Sequence, residues 1–200
     1  MQKLDPQDLI LECRMVSAGV PDEAPEDYPQ LWEVNVATAM VDGDLADGDV
    51  DAQVGQVVAY ILPKPDRVDL LEAFSKELQD VAEMLVQKRP DLLQALDRSA
   101  GRDVMFVSTL DIAPEFRGEH IGHDVLRAVL GAIGRSVGLV IQQAKPLQVD
   151  GEPAPGTPEY EAAKTALTKY GLEFGFEVAD GDYLAYVVPA PDGAGSGVRN

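Results

Sequence analysis

Two hundred residues, 46% of them hydrophobic, suffice for one domain with its own core, and sixteen basic against thirty-five acidic residues leave a net charge of −19. That charge keeps the chain soluble, repels nucleic acid and anionic membranes, and favours cationic partners; no run of eighteen apolar residues exists to span a bilayer, and the first ten residues lack the pattern of a secretory signal. Cys13 is the one cysteine, which excludes an internal disulfide and a thiolate zinc site and fits a cytoplasmic location.

Residues 9–16, LILECRMV, alternate with Leu9, Leu11, Cys13 and Met15 on one face, which predicts a strand. A loop with three prolines follows over 18–30. Residues 31–41 alternate through Trp32, Val34 and Val36, and 55–63 form a third strand closed by Pro63; together they read as a hairpin. The link between them holds Asp42, Asp44, Asp47, Asp49 and Asp51, but Ala46 falls where a calcium loop needs a ligand and no glutamate closes it. The link therefore reads as a solvated turn, and no metal site is expected.

Leu70, Leu71, Phe74, Leu78, Val81 and Leu85 share one helical face, Pro90 ends that run, and Leu92, Leu93 and Leu96 suggest a short second helix. Such a face serves packing or a homodimer contact equally well. In 102–113 the residues Val104, Phe106, Ser108 and Leu110 alternate with Met105, Val107 and Thr109, so both sides are mostly apolar, as in a central strand. A helix is predicted over 121–137, with Val125, Leu126, Val129, Leu130 and Ile133 as its buried stripe and Gly134 and Gly138 flanking its end. A strand over 138–144, a proline-rich loop and a helix over 159–174 come next; the helix carries Tyr160, Ala163, Leu167, Tyr170 and Phe174 on one side. A last strand spans 182–189. The expected architecture is a single α/β (α+β) domain over 1–188 with a flexible tail at 189–200.

The chemistry lies in TLDIAPEFRGEHIGHDVL, residues 109–126. A central strand ends at Ile112 and Ala113, Pro114 breaks it, Gly118 permits a tight turn, and Gly122 stands in the first helical turn. The first backbone N–H groups of a helix have no partner inside it, and the macrodipole makes them a seat for anions. Arg117 adds a formal positive charge. Neither G-x-G-x-x-G nor a P-loop occurs, so the arrangement suits a pyrophosphate without being a nucleotide fingerprint of either kind.

The segment IAPEFRGEHIG resembles the acetyl-coenzyme A signature of the GCN5-related N-acetyltransferase (GNAT) family, V-x-P-x-x-R-G-x-G-I-G, at Pro114, Arg117, Gly118, Ile121 and Gly122, with Ile112 in place of the valine. KYGLEFGFEV is similar to the family's late Y-x-x-L-G-F segment, and the element order agrees over roughly 9–188, with the helices at 68–98 inserted between the third and fourth strands. The resemblance implies a mixed, mostly antiparallel sheet flanked by helices. It implies acetyl-CoA as co-substrate and transfer of the acetyl group to an amine by direct attack. The acceptor would be a small-molecule or peptide amine, cationic if the surface charge selects it.

The same resemblance implies that backbone amides across Arg117, Gly118, Glu119, His120, Ile121, Gly122 and His123 hold the pyrophosphate, and that the strand edge at Leu110, Asp111 and Ile112 pairs with the pantetheine. Tyr170 is the candidate acid towards the coenzyme thiolate and Asp111 the candidate base, with Glu33 and Glu12 behind it. This chain departs from the pattern at His120, where the family has glycine, and at Gly171, where it has the tyrosine. Those departures also fit a non-catalytic protein of the same fold that binds acyl-CoA or a protein partner.

Overall fold

The computed structural model describes residues 6–17, 24, 27–39, 51–63, 67, 75–118, 120–146 and 154–190. The acidic link at 42–50, the helix positions Leu70, Leu71 and Phe74, the loop residue Glu119 and the tail from 191 lie outside the described residues. Seven strands form one sheet: β1 (Leu9–Ser17), β2 (Gln30–Ala39), β3 (Asp51–Leu62), β4 (Asp103–Ile112), β5 (Val137–Gln143), β6 (Glu177–Asp180) and β7 (Tyr183–Val187). Their order is β1-β2-β3-β4-β5-β7-β6. Every neighbouring pair is antiparallel except β4 and β5, which are parallel because the chain crosses over through α3 (Ile121–Ile133). The chain therefore has the mixed, mostly antiparallel α/β fold expected for it, and β4, apolar on both sides, is its middle strand.

Helices cover both faces. On one face lie α1 (Lys76–Glu83) and α2 (Pro90–Ala95), the insertion between the third and fourth strands. Leu78, Val81, Met84, Leu85 and Leu92 pack there on Leu62, Val104, Phe106, Leu139 and Ile141. On the other face Ile121, Val125, Leu126 and Val129 of α3 pack on Val57, Ala59, Met105, Val107 and Val140. The alternation of β4 sends Val104 and Phe106 to the first cluster and Met105 and Val107 to the second, so one strand anchors both cores.

Several elements differ from the expectation. α3 stops at Ile133, where the Gly134 N–H reaches the Leu130 carbonyl, so Val137 opens β5 and does not close the helix. β3 begins at Asp51, four residues early, because Asp51 and Ala52 pair with Ala39 and Thr38. Pro90 stands at the first position of α2, where its missing N–H costs nothing, after a five-residue π-helical segment, Met84–Lys88, that buries both Met84 and Leu85. β6 was not anticipated: it has four residues, two of them exposed, at the edge of the sheet.

Candidate functional site

β4 is paired differently along its length. From Val104 to Val107 it has β3 on one side and β5 on the other. Beyond Val107, whose partner is Gln142, β5 makes no further pair with it, while β3 stays paired to Ile112. The ladder with β3 slips at the same place: Val58 faces Thr109 and Ala59 faces Val107, leaving Ser108 as the extra residue of a bulge. A bulge bends its strand and increases its twist, which opens the sheet on the β5 side.

The opening is a cavity of about 470 Å³. Its walls are the free half of β4 with Ser108, Leu110, Asp111 and Ile112; Gln142 and Gln143 at the end of β5; the start of α3; and α4 (Pro158–Phe174). α4 carries the apolar side expected from its sequence, and Tyr160 of that side is buried. Ala163, Leu167, Tyr170 and Phe174 of the same side line the cavity, and Leu167 keeps 39% of its surface exposed. An apolar helix face on an open cleft with a few polar groups is the usual character of a ligand pocket.

At the mouth, the Arg117–Gly122 turn starts α3. Gly118 has φ 101° and His120 has φ 61°, the left-handed region that favours glycine. That is why a glycine suits this position in the related motif; here an exposed histidine holds the same backbone shape at a cost of about 1 kcal/mol. The guanidinium of Arg117 folds back on the strand end, with Nε donating to the Ile112 carbonyl at 2.8 Å and a nitrogen 3.5 Å from the Asp111 carboxylate.

Tyr170 crosses from α4 to this helix start. Its hydroxyl accepts from the His123 backbone N–H at 3.0 Å, a group that also reaches the His120 carbonyl at 2.8 Å, so this N–H is shared between two acceptors. Its carbonyl oxygen lies 2.9 Å from His123 Nε2, so that nitrogen carries the proton. The two rings are 3.9 Å apart, and His120 and Phe174 extend the stack. A Cβ at position 122 would come within 2.9 Å of the phenol oxygen, so Gly122 is what lets Tyr170 reach the helix. Burial lowers the His123 imidazole below its ordinary value of 6.5, against the opposing effect of its bond to Tyr170, and burial raises the Tyr170 phenol.

Of the residues singled out in the sequence, Leu110, Asp111, Ile112, Arg117, Gly118, Gly122, His123 and Tyr170 surround the cavity. His120 is exposed and does not line it, Ile121 sends its side chain into the core, and Glu119 is not among the described residues. The two candidate catalytic groups sit at the mouth: Asp111 beside Arg117, and the Tyr170 hydroxyl on α3. A Cβ at position 171, where the motif has its tyrosine, would meet Leu184 Cδ1 at 2.4 Å, so a side chain there requires Leu184 to shift. Glu12 and Glu33 are on β1 and β2, and Glu33 pairs with Arg14 on the surface.

Sequence reading missed the inner end. Ser108 Oγ donates at 3.0 Å to Glu77 Oε2 of α1, across the sheet from α3. The signal for Ser108 was its polarity inside an apolar strand; nothing in the sequence pointed to Glu77. Among the described residues no cluster of ligating side chains could hold a metal ion, and no helix is long and apolar enough to cross a membrane.

No protein-family model matches the chain. No curated protein matches it in sequence. Among solved structures it is similar to arylalkylamine N-acetyltransferase 2 from Aedes aegypti, at 12% identity over 77% of this chain and 73% of that one, with a TM-score of 0.40. A likeness of that degree carries no function across, so function has to be argued from the cavity and its residues.

Proposed function

We propose that this protein is an acetyl-CoA-dependent N-acetyltransferase. The observation that carries the reading is the half-paired middle strand: a central β-strand whose free edge faces a cavity that ends at a helix N-terminus next to an arginine and a glycine turn. Those features suit a ligand with a pyrophosphate at one end and a long amide-bearing arm. The free edge offers backbone groups to the amides, as an added strand would. The amides at the α3 start and Arg117 offer positive potential to the phosphates. The apolar wall of α4 suits the arm's methylene groups.

The donor set fits such a ligand on one condition. The His123 N–H is already shared by the Tyr170 hydroxyl and the His120 carbonyl, and the Ile121 N–H goes to the Gly118 carbonyl, so these groups must be released or the Tyr170 hydroxyl must turn its own proton towards a phosphate oxygen. Acetyl-CoA supplies a thioester, activated towards amines. The protein's part is to align the thioester with the acceptor, exclude water and give the departing protons somewhere to go.

Calorimetric titration with acetyl-CoA tests the reading. Micromolar binding that weakens when Arg117 is changed to Ala supports it; no heat of binding at millimolar coenzyme overturns it. A second reading, coenzyme binding without turnover, is favoured by the mouth itself, where Tyr170 is committed to the helix and is not poised as an acid. Saturable acetyl-CoA binding with no acetylation across a broad amine panel would select it.

A further inference from the structure

The cavity reaches the gap between β4 and β5. Leu126 and Phe174 line it on the α3 side. Ser108 and Gln143 line it at the point where β4 and β5 part, and Gln143, by alternation with Leu139 and Ile141, belongs to the α1 side. A phosphate seat at α3 and an arm laid along β4 from Ile112 bring the reacting end of the ligand to Ser108, four residues or roughly 13 Å further in. The chemistry therefore belongs at the inner end of the opening, and Asp111, near the mouth and beside Arg117, is at the wrong end of the strand to serve it.

On the α1 side of that inner end, Tyr60 and Tyr183 pack against the cluster beneath α1. Burial pushes the Tyr183 phenol up to about 12, with the charges of Asp80 and Glu77 adding to it, and burial followed by Glu77 raises Tyr60. The neighbouring carboxylates have cations of their own: Asp80 pairs with Lys76, Asp180 with Lys88 and Asp182 with Lys164. Glu77 is different. Among the described residues it has no ion-pair partner, and the Ser108 hydroxyl of the cavity wall is its hydrogen-bond donor.

We propose that Glu77 receives the acceptor: it holds the ammonium of a primary amine that enters from the α1 side and takes up the proton the nitrogen must lose before attack. This rests on the coenzyme reading above. The ammonium gives one proton to the Glu77 carboxylate. The freed nitrogen bonds to the acyl carbon as the carbon–sulfur bond breaks, its second proton ends on the thiolate sulfur, and Glu77 returns its proton to solvent. Tyr60 and Tyr183 offer aromatic surface on the α1 side, which suits a cation, so the acceptor is a cationic primary amine. Glu77 acts on the substrate in this scheme; Ser108 is a positioning residue that aims it.

The test compares the wild-type protein, E77Q and S108A in acetyl-CoA calorimetry and in thiol release with spermidine, kanamycin and a lysine-containing peptide. E77Q is expected to bind acetyl-CoA within about twofold of the wild type, melt at the same temperature and lose at least about 100-fold in kcat/KM, the range of a removed general base. S108A is expected to lose less than about tenfold, because the carboxylate remains. Unchanged kcat/KM in E77Q, or an equal loss in both variants, overturns the assignment of Glu77 while the coenzyme reading stands. Acetyl-CoA binding without acetylation of any of the three amines also overturns it, in favour of binding alone. Failure of all three proteins to bind acetyl-CoA overturns the coenzyme reading, and this inference with it.

Discussion

The two halves of β4 are made of similar residues and do opposite things. Val104, Met105, Phe106 and Val107 are buried almost completely, between two strands and two helical layers. Leu110 and Ile112, no less apolar, stay partly exposed on the cavity wall. Hydrophobicity does not separate them; pairing does. At one bulged residue, Ser108, the β5 ladder ends and a core strand becomes a free edge. The same contrast recurs along the cavity, between a mouth built from α3 and α4 and an inner end built from β4, β5 and α1.

The largest expected effect on folding comes from the paired half. Met105→Ala should cost about 2–5 kcal/mol, because the deleted atoms leave a cavity between β4 and α3. Leu110→Ala in the free half should cost clearly less and instead weaken acetyl-CoA binding; urea titration and calorimetry on the two variants read both quantities. Equal losses of stability would mean that the two halves do not differ as described.

Next come the mouth variants. Gly122→Ala drives a methyl against the Tyr170 oxygen, so it should break the bond to His123 and cost about 1–2 kcal/mol. Tyr170→Phe should cost about 0.5–1.5 kcal/mol for the lost hydrogen bond, leave the His123 N–H on the His120 carbonyl alone and leave acetyl-CoA binding equal or tighter. Should Tyr170→Phe instead lower kcat about 100-fold with coenzyme affinity unchanged, Tyr170 is a catalytic acid after all and the division between mouth and inner end is wrong.

His123 gives the mouth a pH signature. Its folded value lies below 6.5 because of burial, so the unfolded chain binds more protons as the pH falls. The stabilisation is complete above pH 6.5 and is lost as the pH drops towards the folded value. Denaturation midpoints measured between pH 7.5 and 5 should decline, and His123→Asn should flatten that part of the decline. The smallest effect is expected for His120→Gly, which relieves the left-handed backbone and should raise stability by under about 1 kcal/mol.

What could be read in advance follows the same division. The middle position of β4 was visible because burial on both sides leaves apolar residues on both, and α3 was visible from its five-residue stripe. The motif from Pro114 to Gly122 pointed to the mouth. The inner end was hidden because it depends on contacts distant in the chain: Glu77 meets Ser108 across thirty-one positions, through a helix whose pattern speaks only of its buried face. Tyr170 was legible as apolar helix stripe or catalytic acid, and it is a half-buried cap on a neighbouring helix, a role set by Gly122 making room. β6 escaped because Val178 stays half exposed at a sheet edge, where the period of two carries little.

The central claim is that the free edge of β4 and the start of α3 together form an acyl-coenzyme A seat. Amide hydrogen exchange with and without saturating acetyl-CoA tests it most directly, because it reads those backbone groups one by one. Slower exchange confined to 108–112 and 117–123, with β1 and β2 unchanged, is the expected result. Unchanged exchange in both segments at millimolar coenzyme would contradict it.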